Sequence, residues 1–198
     1  SSTLDYAEVL DRVLEQMQRV VDYDSAAILL IPGDCDDGSR MVISATQGLE
    51  PYLRGRELRF GPEDPGMVIY RSRQPMVIDD VRMNPGWQSP DLTETTSLIR
   101  SWIGVPLLAQ ERVIGIVTLD KVTPGYYTEK DASVAFAVAR QVAAAVENAR
   151  LHARAEVNLR ALEERNRRLA SLHRIATMIS STLDRDAILN GAAQQLID

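Results

Sequence analysis

The sequence predicts an α+β fold, with a mainly antiparallel sheet flanked by helices and followed by a long C-terminal coiled-coil helix. Two observations carry this prediction. Short apolar segments occur in pairs joined by tight turns, which is typical of antiparallel strands. The chain from Tyr126 to Asn190 then contains neither glycine nor proline, so one long helix is its simplest interpretation.

The first part of the domain is predicted to be a helix, a hairpin and a loop. A capping-box spacing followed by apolar residues every three or four positions predicts a helix over residues 6–21. An apolar run over 26–31 predicts a buried strand, and residues 40–46 are its expected partner across a short acidic turn. The stretch 48–66 is rich in glycine, proline and charge, which favours a loop.

The second part is predicted to contain a short helix and three strands. These elements are a helix over 67–73 and strands over 76–78, 102–108 and 112–119. The polar stretch 82–97 is predicted to be mostly loop with one turn of helix. Pro106 cannot donate a ladder hydrogen bond, so it indicates an edge or a bulge in its strand.

The long helix carries a heptad-like apolar pattern. Thr128 and Asp131 have capping-box spacing and predict its start; a break near Ser180 is possible. Its second part has residues alternating by four and three, the spacing of a coiled-coil seam. This seam comprises Ala155, Leu159, Leu162, Asn166, Leu169, His173 and Ala176. We therefore expect a homodimer through parallel pairing of this helix, with Asn166 favouring a fixed register.

The chain contains a partial repeat of its own beginning. The pentapeptide at residues 1–5 returns unaltered at 180–184, a period too long for a solenoid and suited to tandem whole domains. Serine rather than methionine at position 1 fits a piece of a larger multidomain protein. The predicted division is a domain over 1–148, a helical connector over 149–179 and the truncated start of a second domain over 180–198.

Composition limits the classes of partner. The chain is 45% apolar and 25% charged, which is typical of a soluble globular protein. With 22 basic and 28 acidic residues its net charge is −6, which argues against nucleic acid as the ligand. The longest apolar run, 132–146, is interrupted by Arg140 and too short to span a membrane, so no membrane contact is expected. Cys35 is the single cysteine, which favours a free thiol in a reducing cytoplasm.

Several segments resemble GAF domains, the small-molecule-binding modules of bacterial signalling proteins and cyclic-nucleotide phosphodiesterases. Residues 99–108 (IRSWIGVPLL) and 113–120 (VIGIVTLD) resemble the closing strand pair of that family. Residues 66–68 (GMV) and 74–81 (QPMVIDDV) resemble its central helix and strand. The resemblance implies an antiparallel sheet of five or six strands, and the repeat from residue 180 resembles the start of another GAF domain.

The resemblance also implies a function and a site. In the family, ligands lie between the sheet and the helix-and-loop layer that crosses it. In this chain that region would contain Thr46, Met67, Val68, Tyr70, Trp87, Asp91 and Thr95. Each of these residues could instead belong to the core or cap a loop. The implied function is a sensory module of a two-component or related system, with a downstream histidine kinase, cyclase or phosphatase and a ligand of unknown identity.

Two other functions stay open on the sequence alone. One is a ligand-free GAF domain that serves as a dimerisation spacer. The other is free methionine sulfoxide reduction, which uses several cysteines in the family, whereas one cysteine cannot form the resolving disulfide. His152 and His173 lie outside the domain, so a catalytic base or an axial haem ligand within it is not expected.

The remaining motifs predict structure rather than chemistry. Cys35 lies in the first hairpin turn, which disfavours covalent bilin attachment, and the acidic turn 34–38 lacks the ligand pattern of a calcium loop. No catalytic residue and no metal site is therefore predicted. The cyclic-nucleotide members carry Asn-Lys, then Phe and Asp-Glu, whereas this chain has Asp120-Lys121, then Tyr127 and Asp131-Ala132. We expect Lys121 to contact Asp131 and fix the last strand to the long helix.

Overall fold

A computed structural model gives the architecture of two units, Ser1–Ala153 and Arg154–Asp198. The structure describes residues 2–35, 37–87 and 94–194, and side chains over 6–35, 37–87 and 95–172. The first unit contains every strand assigned in the described residues, and the described part of the second is helix.

A six-stranded antiparallel sheet organises the first unit. Its strands are β1 (Ser25–Leu30), β2 (Arg40–Gln47), β3 (Glu57–Arg59), β4 (Met76–Ile78), β5 (Ser101–Ala109) and β6 (Arg112–Lys121). Their spatial order is β3-β2-β1-β6-β5-β4, and every neighbouring pair is antiparallel. The helices are α1 (Ser2–Gln18), α2 (Pro65–Ser72), α3 (Glu94–Ser97) and α4 (Glu129–Gln194). This order of elements confirms the predicted α+β fold.

The two faces of the sheet pack against different layers. Because successive strand residues point to opposite faces, Ile28 and Val117 face one side and Leu29 and Ile116 the other. On the first side, buried residues of α1 and of the start of α4 complete the main core. On the second side, α2 and the loops cover the sheet but leave a cavity against it.

Strands β5 and β6 form the hairpin that the sequence predicted. Their connection is Gln110-Glu111, and both residues have positive φ, 48° and 66°, as a two-residue type I′ turn requires. Pro106 lies beyond the residues of β5 that pair with β4, and a bulge follows between Leu107 and Leu108. The proline therefore occupies a position where no donor to β4 is needed.

Strand β3 was not predicted from the sequence. Its three residues fall within the stretch 48–66, and only the central one, Leu58, is partly buried. Such a short edge strand lacks the apolar run that identifies a strand, and its pairing with β2 depends on tertiary contact.

Helix α4 is continuous through Ser180. In the described residues, no helix combines the length and the apolar character needed to cross a bilayer.

The predicted contact between Lys121 and Asp131 is wrong. The Lys121 ammonium lies 2.8 Å from the Asp22 carboxylate and 2.9 Å from that of Asp24. Asp131 instead accepts hydrogen bonds from the hydroxyl and backbone N–H of Thr128, at 2.6 and 2.9 Å. The carboxylate is therefore used by the capping box at the start of α4, and the lysine joins β6 to the loop before β1.

Candidate ligand-binding cavity

A cavity of about 460 Å³ lies between the second face of the sheet and the layer of loops and α2 that covers it. Its lining residues on the sheet are Ala27, Leu29, Ile43, Trp102, Ile116, Thr118 and Asp120. The edge strand of the same sheet, β3, adds Glu57, Leu58 and Arg59. The covering layer contributes Leu49, Leu53, Arg56, Phe60, Asp64, Pro65, Gly66, Trp87, Thr96 and Ile99. The cavity falls within the range of about 300–1,000 Å³ that is typical of small-molecule sites.

The floor changes from apolar to polar along β6. Ile116, Thr118 and Asp120 are two residues apart and point to the same face, so they line the floor in a row. Ala27 of β1 lies directly beside Thr118 and widens the floor because its side chain is small. A ligand in this cavity would meet aliphatic carbon at one end and a hydroxyl and a carboxyl at the other.

Asp120 is the buried ionisable group of the floor. Asp120 is only 3% exposed, and one of its carboxyl oxygens accepts a hydrogen bond from Ser25 Oγ at 2.9 Å. Burial raises the pKa of this carboxyl to about 7, and the nearby Asp24 charge adds to the rise, whereas the Ser25 hydrogen bond opposes it. The group therefore changes its charge near neutral pH.

Two tryptophans form an aromatic wall. Trp87 and Trp102 meet edge to face, with ring centroids 5.5 Å apart and an interplanar angle of 73°. The six-membered ring of Trp102 lies over Gly104, where an added Cβ would be only 2.2 Å from the ring. Glycine at this position lets the indole lie along β5. Trp102 is paired directly with Asp120 across the strands, so the wall adjoins the polar end of the floor.

The start of α2 closes another side of the cavity. The backbone carbonyl of Asp64 accepts from the N–H groups of Met67 and Val68, and its side chain accepts from the Gly61 N–H. At Gly66 an added Cβ would lie 2.8 Å from the Phe60 ring, so the absence of a side chain lets that ring pack against the helix. The carboxyl of Asp64 thus stabilises the turn before α2.

Charged residues surround the entrance. Arg56, Glu57 and Arg59 line the cavity and are exposed. Arg59 lies 3.5 Å from Glu57, and its side chain is 80% exposed, so this ion pair is well solvated. The entrance therefore carries both signs of charge, in contrast to the acidic floor.

The structure places the sequence-predicted residues at different positions around this cavity. Trp87 lines it. Thr95 does not, because its hydroxyl donates to Glu50 at 2.8 Å, and the next residue, Thr96, lines the cavity instead. Asp91 lies outside the described residues.

The other four candidates do not line the cavity. Thr46 lies on the same face of the sheet but is covered by Arg54, which donates to its hydroxyl and carbonyl oxygens at 3.4 and 3.0 Å. Met67 is buried in α2 and Val68 is 39% exposed. The ring of Tyr70 packs over Gly38 in the β1–β2 turn.

Asp120 was missed as a site residue, although the sequence contained a signal for it. Counting by two from the apolar residues of the closing strand places residues 116, 118 and 120 on one face. In the resemblance, Asp120 figures only as the residue that stands where the cyclic-nucleotide members have asparagine. The carboxyl's burial beside Ser25 depends on the β1–β6 register, which the sequence does not specify.

The acidic hairpin turn is built by its own hydrogen bonds. The Asp37 carboxylate accepts from the backbone N–H and hydroxyl of Ser39, at 2.9 and 2.6 Å, and from the Cys35 thiol at 3.2 Å. These hydrogen bonds, chiefly from Ser39, lower the Asp37 pKa to about 2. Asp34 pairs with Arg40 at 2.9 Å. Within the described residues, no cluster of three or more histidine, cysteine or acidic side chains is arranged to hold a metal ion.

Three solved structures show the same fold at low sequence identity. A GAF domain/HD domain protein from Geobacter sulfurreducens is 18% identical, with a TM-score of 0.59, covering 76% of this chain and 97% of that one. The GAF-B domain of DevS from Mycobacterium smegmatis is 18% identical, with a TM-score of 0.56 and coverages of 75% and 98%. A type II free methionine-R-sulfoxide reductase from Thermoplasma acidophilum is 15% identical, with a TM-score of 0.59 and coverages of 75% and 96%.

These similarities show the fold alone, and one of the three proteins is named as an enzyme, the free methionine-R-sulfoxide reductase. A comparison with curated protein sequences found no match. The family model described as GAF domain matches residues 3–147, a range that contains strands β1 to β6 and the cavity. The chain therefore belongs to the GAF domain family.

Proposed function

We propose that this chain is a non-catalytic sensory module of a bacterial multidomain signalling protein, working in the cytoplasm. A small molecule binds in the cavity, and a dimeric signalling helix carries the bound state to a downstream output domain. The observation that carries this proposal is the cavity of about 460 Å³ with the buried Asp120 carboxyl at its floor. A domain used only as a spacer has no need to keep such a carboxyl beside open space.

The composition of the cavity supports a ligand of mixed character. Its aliphatic floor and its tryptophan wall offer apolar contact, and Thr118 and Asp120 offer polar groups in a fixed geometry. A few placed polar groups in a largely apolar concavity are typical of small-molecule sites.

The exposed stripe of α4 supports the dimer. In the second unit Leu159, Leu162 and Leu169 are each between 55% and 58% exposed, and Ala155 and Asn166 are exposed as well. Leucines repeating by three and four on one side of a long helix are normally covered in a coiled coil. We infer that a second copy of the chain covers them, in parallel.

The position of the single cysteine supports a role without catalysis. Cys35 is buried in the β1–β2 turn and does not line the cavity. Reduction of a sulfoxide by thiols needs an attacking thiol at the substrate and a second one to complete the disulfide. This chain has one cysteine, placed away from the proposed ligand. We therefore propose binding without turnover.

Native mass spectrometry of the purified chain tests the ligand. We expect the wild type to carry mass beyond that of its polypeptide and to lose it on denaturation. The matched variant Ala27→Phe projects a phenyl ring into the cavity from the middle of the sheet and should retain no such mass. If wild type and variant both show the polypeptide mass alone, the spacer function replaces this proposal.

Insertions in the full-length protein test the signalling helix. A seven-residue insertion near Arg160 adds two turns and preserves the seam, so output activity should persist. A two-residue insertion rotates the downstream part of the helix by roughly half a turn and should uncouple the output. Output that is indifferent to the length of the insertion would exclude transmission through this helix.

A further inference from the structure

The Asp120 carboxyl is incompletely paired on the side that faces the cavity. One of its oxygens accepts from Ser25 Oγ. No other hydrogen bond to this carboxyl comes from the side chains that the structure describes. The Ser25 hydroxyl donates one hydrogen bond to this carboxyl, which can accept several. The cavity is the open direction from which a further donor can approach.

The groups behind the floor do not neutralise this carboxyl. Lys121 follows it in the chain but turns to the other side, where its ammonium pairs with Asp22 and Asp24. Asp24 adds a second negative charge near Asp120. Tyr127 keeps its proton, because burial raises its pKa and the Asp120 charge raises it further. The groups behind the floor therefore make the electrostatic potential at the carboxyl negative.

The groups across the cavity do not neutralise it either. Arg56 and Arg59 lie at the exposed entrance, where Arg59 pairs with Glu57. Asp64 faces the same space with another carboxyl, which accepts from a backbone N–H. Among the described residues, no lysine or arginine forms an ion pair with Asp120. A positive charge for this site would therefore come from a ligand.

The wall beside the carboxyl is suited to a flat cation. Trp102 lies next to Asp120 across the strands, and Trp87 meets it edge to face. Phe60 lines the space from the side of α2. Aromatic faces attract cations that are shielded from water, and a planar group with N–H donors can bind a carboxylate through two parallel hydrogen bonds.

We propose that the cavity binds a small planar cation, such as an amidinium, a guanidinium or a protonated heteroaromatic amine, whose N–H groups donate to Asp120. The flat body of the ligand then lies against the tryptophan wall, and Thr118 offers a hydroxyl beside the ion pair. The proposal rests on the proposed ligand-binding function and specifies its chemical class. An anion of the same shape is repelled by the floor.

Three probes of similar shape and different charge test this class: benzamidine, benzamide and benzoate. In calorimetric titrations of the purified chain at pH 8, we expect benzamidine to bind at least about tenfold more tightly than benzamide, and benzoate not to bind. Because a carboxyl with a pKa of about 7 must lose its proton first, benzamidine should bind about tenfold more weakly at pH 6 than at pH 8. Benzamide, which carries no charge, should lack this dependence, and benzoate should not bind more weakly at pH 6 than at pH 8.

Variants assign the preference to one carboxyl. Asp120→Asn keeps the shape and the Ser25 contact, and it should abolish both the preference for benzamidine and its pH dependence. Asp34→Asn removes the same charge in the exposed hairpin turn and should keep both. If Asp64→Asn abolishes the preference while Asp120→Asn retains it, the assignment to Asp120 is overturned.

The remaining outcomes separate this inference from the proposed function. Benzamide or benzoate binding as tightly as benzamidine, with loss of binding in Ala27→Phe, overturns the cation class and leaves a ligand-binding cavity in place. Failure of all three probes to bind also overturns the cation class. The proposed function is then decided by the retained mass in native mass spectrometry, which does not depend on these probes.

Discussion

Replacing Asp120 with asparagine should stabilise the protein at high pH. Burial raises the pKa of this carboxyl in the folded chain to about 7, whereas its ordinary value is 3.8. Between these values the folded state holds a proton that the unfolded state has released. Stability therefore falls as the pH rises through this window, and above it the folded chain bears the full cost of a buried charge. Asparagine cannot ionise, so the variant avoids that cost.

The size of the effect follows from the pKa difference. Each pKa unit corresponds to about 1.4 kcal/mol, so a rise from 3.8 to about 7 sets an upper value of roughly 4 kcal/mol. Water in the cavity solvates the charge in part, and we expect a gain of roughly 2–4 kcal/mol for Asp120→Asn at pH 8. At pH 4 the folded carboxyl is protonated and the unfolded one is only partly ionised, so the two proteins should differ in stability by a small fraction of the difference at pH 8.

Urea unfolding followed by circular dichroism at pH 4, 6 and 8 measures this difference. Asp34→Asn is the control, because it removes an exposed carboxyl from the hairpin turn and should show no such trend. The reasoning is refuted if Asp120→Asn is less stable than wild type at both pH 4 and pH 8, by the same free energy of unfolding. A deficit that does not change with pH would mean that folding leaves the pKa of this carboxyl at its ordinary value.

Three further predictions concern the wall, the sheet edge and the dimer. Gly104→Ala places a Cβ 2.2 Å from the ring of Trp102, so it should cost about 1–3 kcal/mol and shift the tryptophan fluorescence; an unchanged spectrum would contradict the described wall. Asp80 accepts two hydrogen bonds from Arg100, which lower the Asp80 pKa to about 2. Asp80→Asn should therefore be less stable than wild type at pH 7. In thermal unfolding scans this difference should disappear as the pH falls from about 4 to 2, where the wild-type carboxyl gains its proton. Leu162→Asp should convert a dimeric wild type to a monomer in light scattering, and a monomeric wild type would exclude the seam.

The elements with strong local patterns could be predicted from the sequence. Helix α1 and strands β1, β2, β4, β5 and β6 each follow an apolar run or period, and the structure shows them within a few residues of the predicted bounds. The short strand β3 could not be predicted, because pairing with β2 creates it and its own residues are mostly exposed. The local pattern of apolar residues predicts a helix or strand only where the segment has a buried face of its own.

The cavity was harder to predict than the fold. Position relative to the sheet led to Trp87, which lines the cavity. Thr46 and Tyr70 lie on the expected layer, but Arg54 covers Thr46, and the Tyr70 ring packs over the turn at Gly38. A side chain facing the right side of a sheet still needs open space above it. That space is set by loop conformation, which a strand period does not encode.

We propose that a small molecule enters the cavity above β1 and β6. Methyl NMR of isoleucine-labelled protein tests it most directly, because Ile43 and Ile116 line the cavity whereas Ile28 and Ile103 face the opposite core. On addition of a low-mass metabolite extract from a bacterial lysate, we predict shifts in the cavity methyls of the wild type and none in Ala27→Phe. Unchanged cavity methyls, or equal shifts on both faces of the sheet, would contradict the claim.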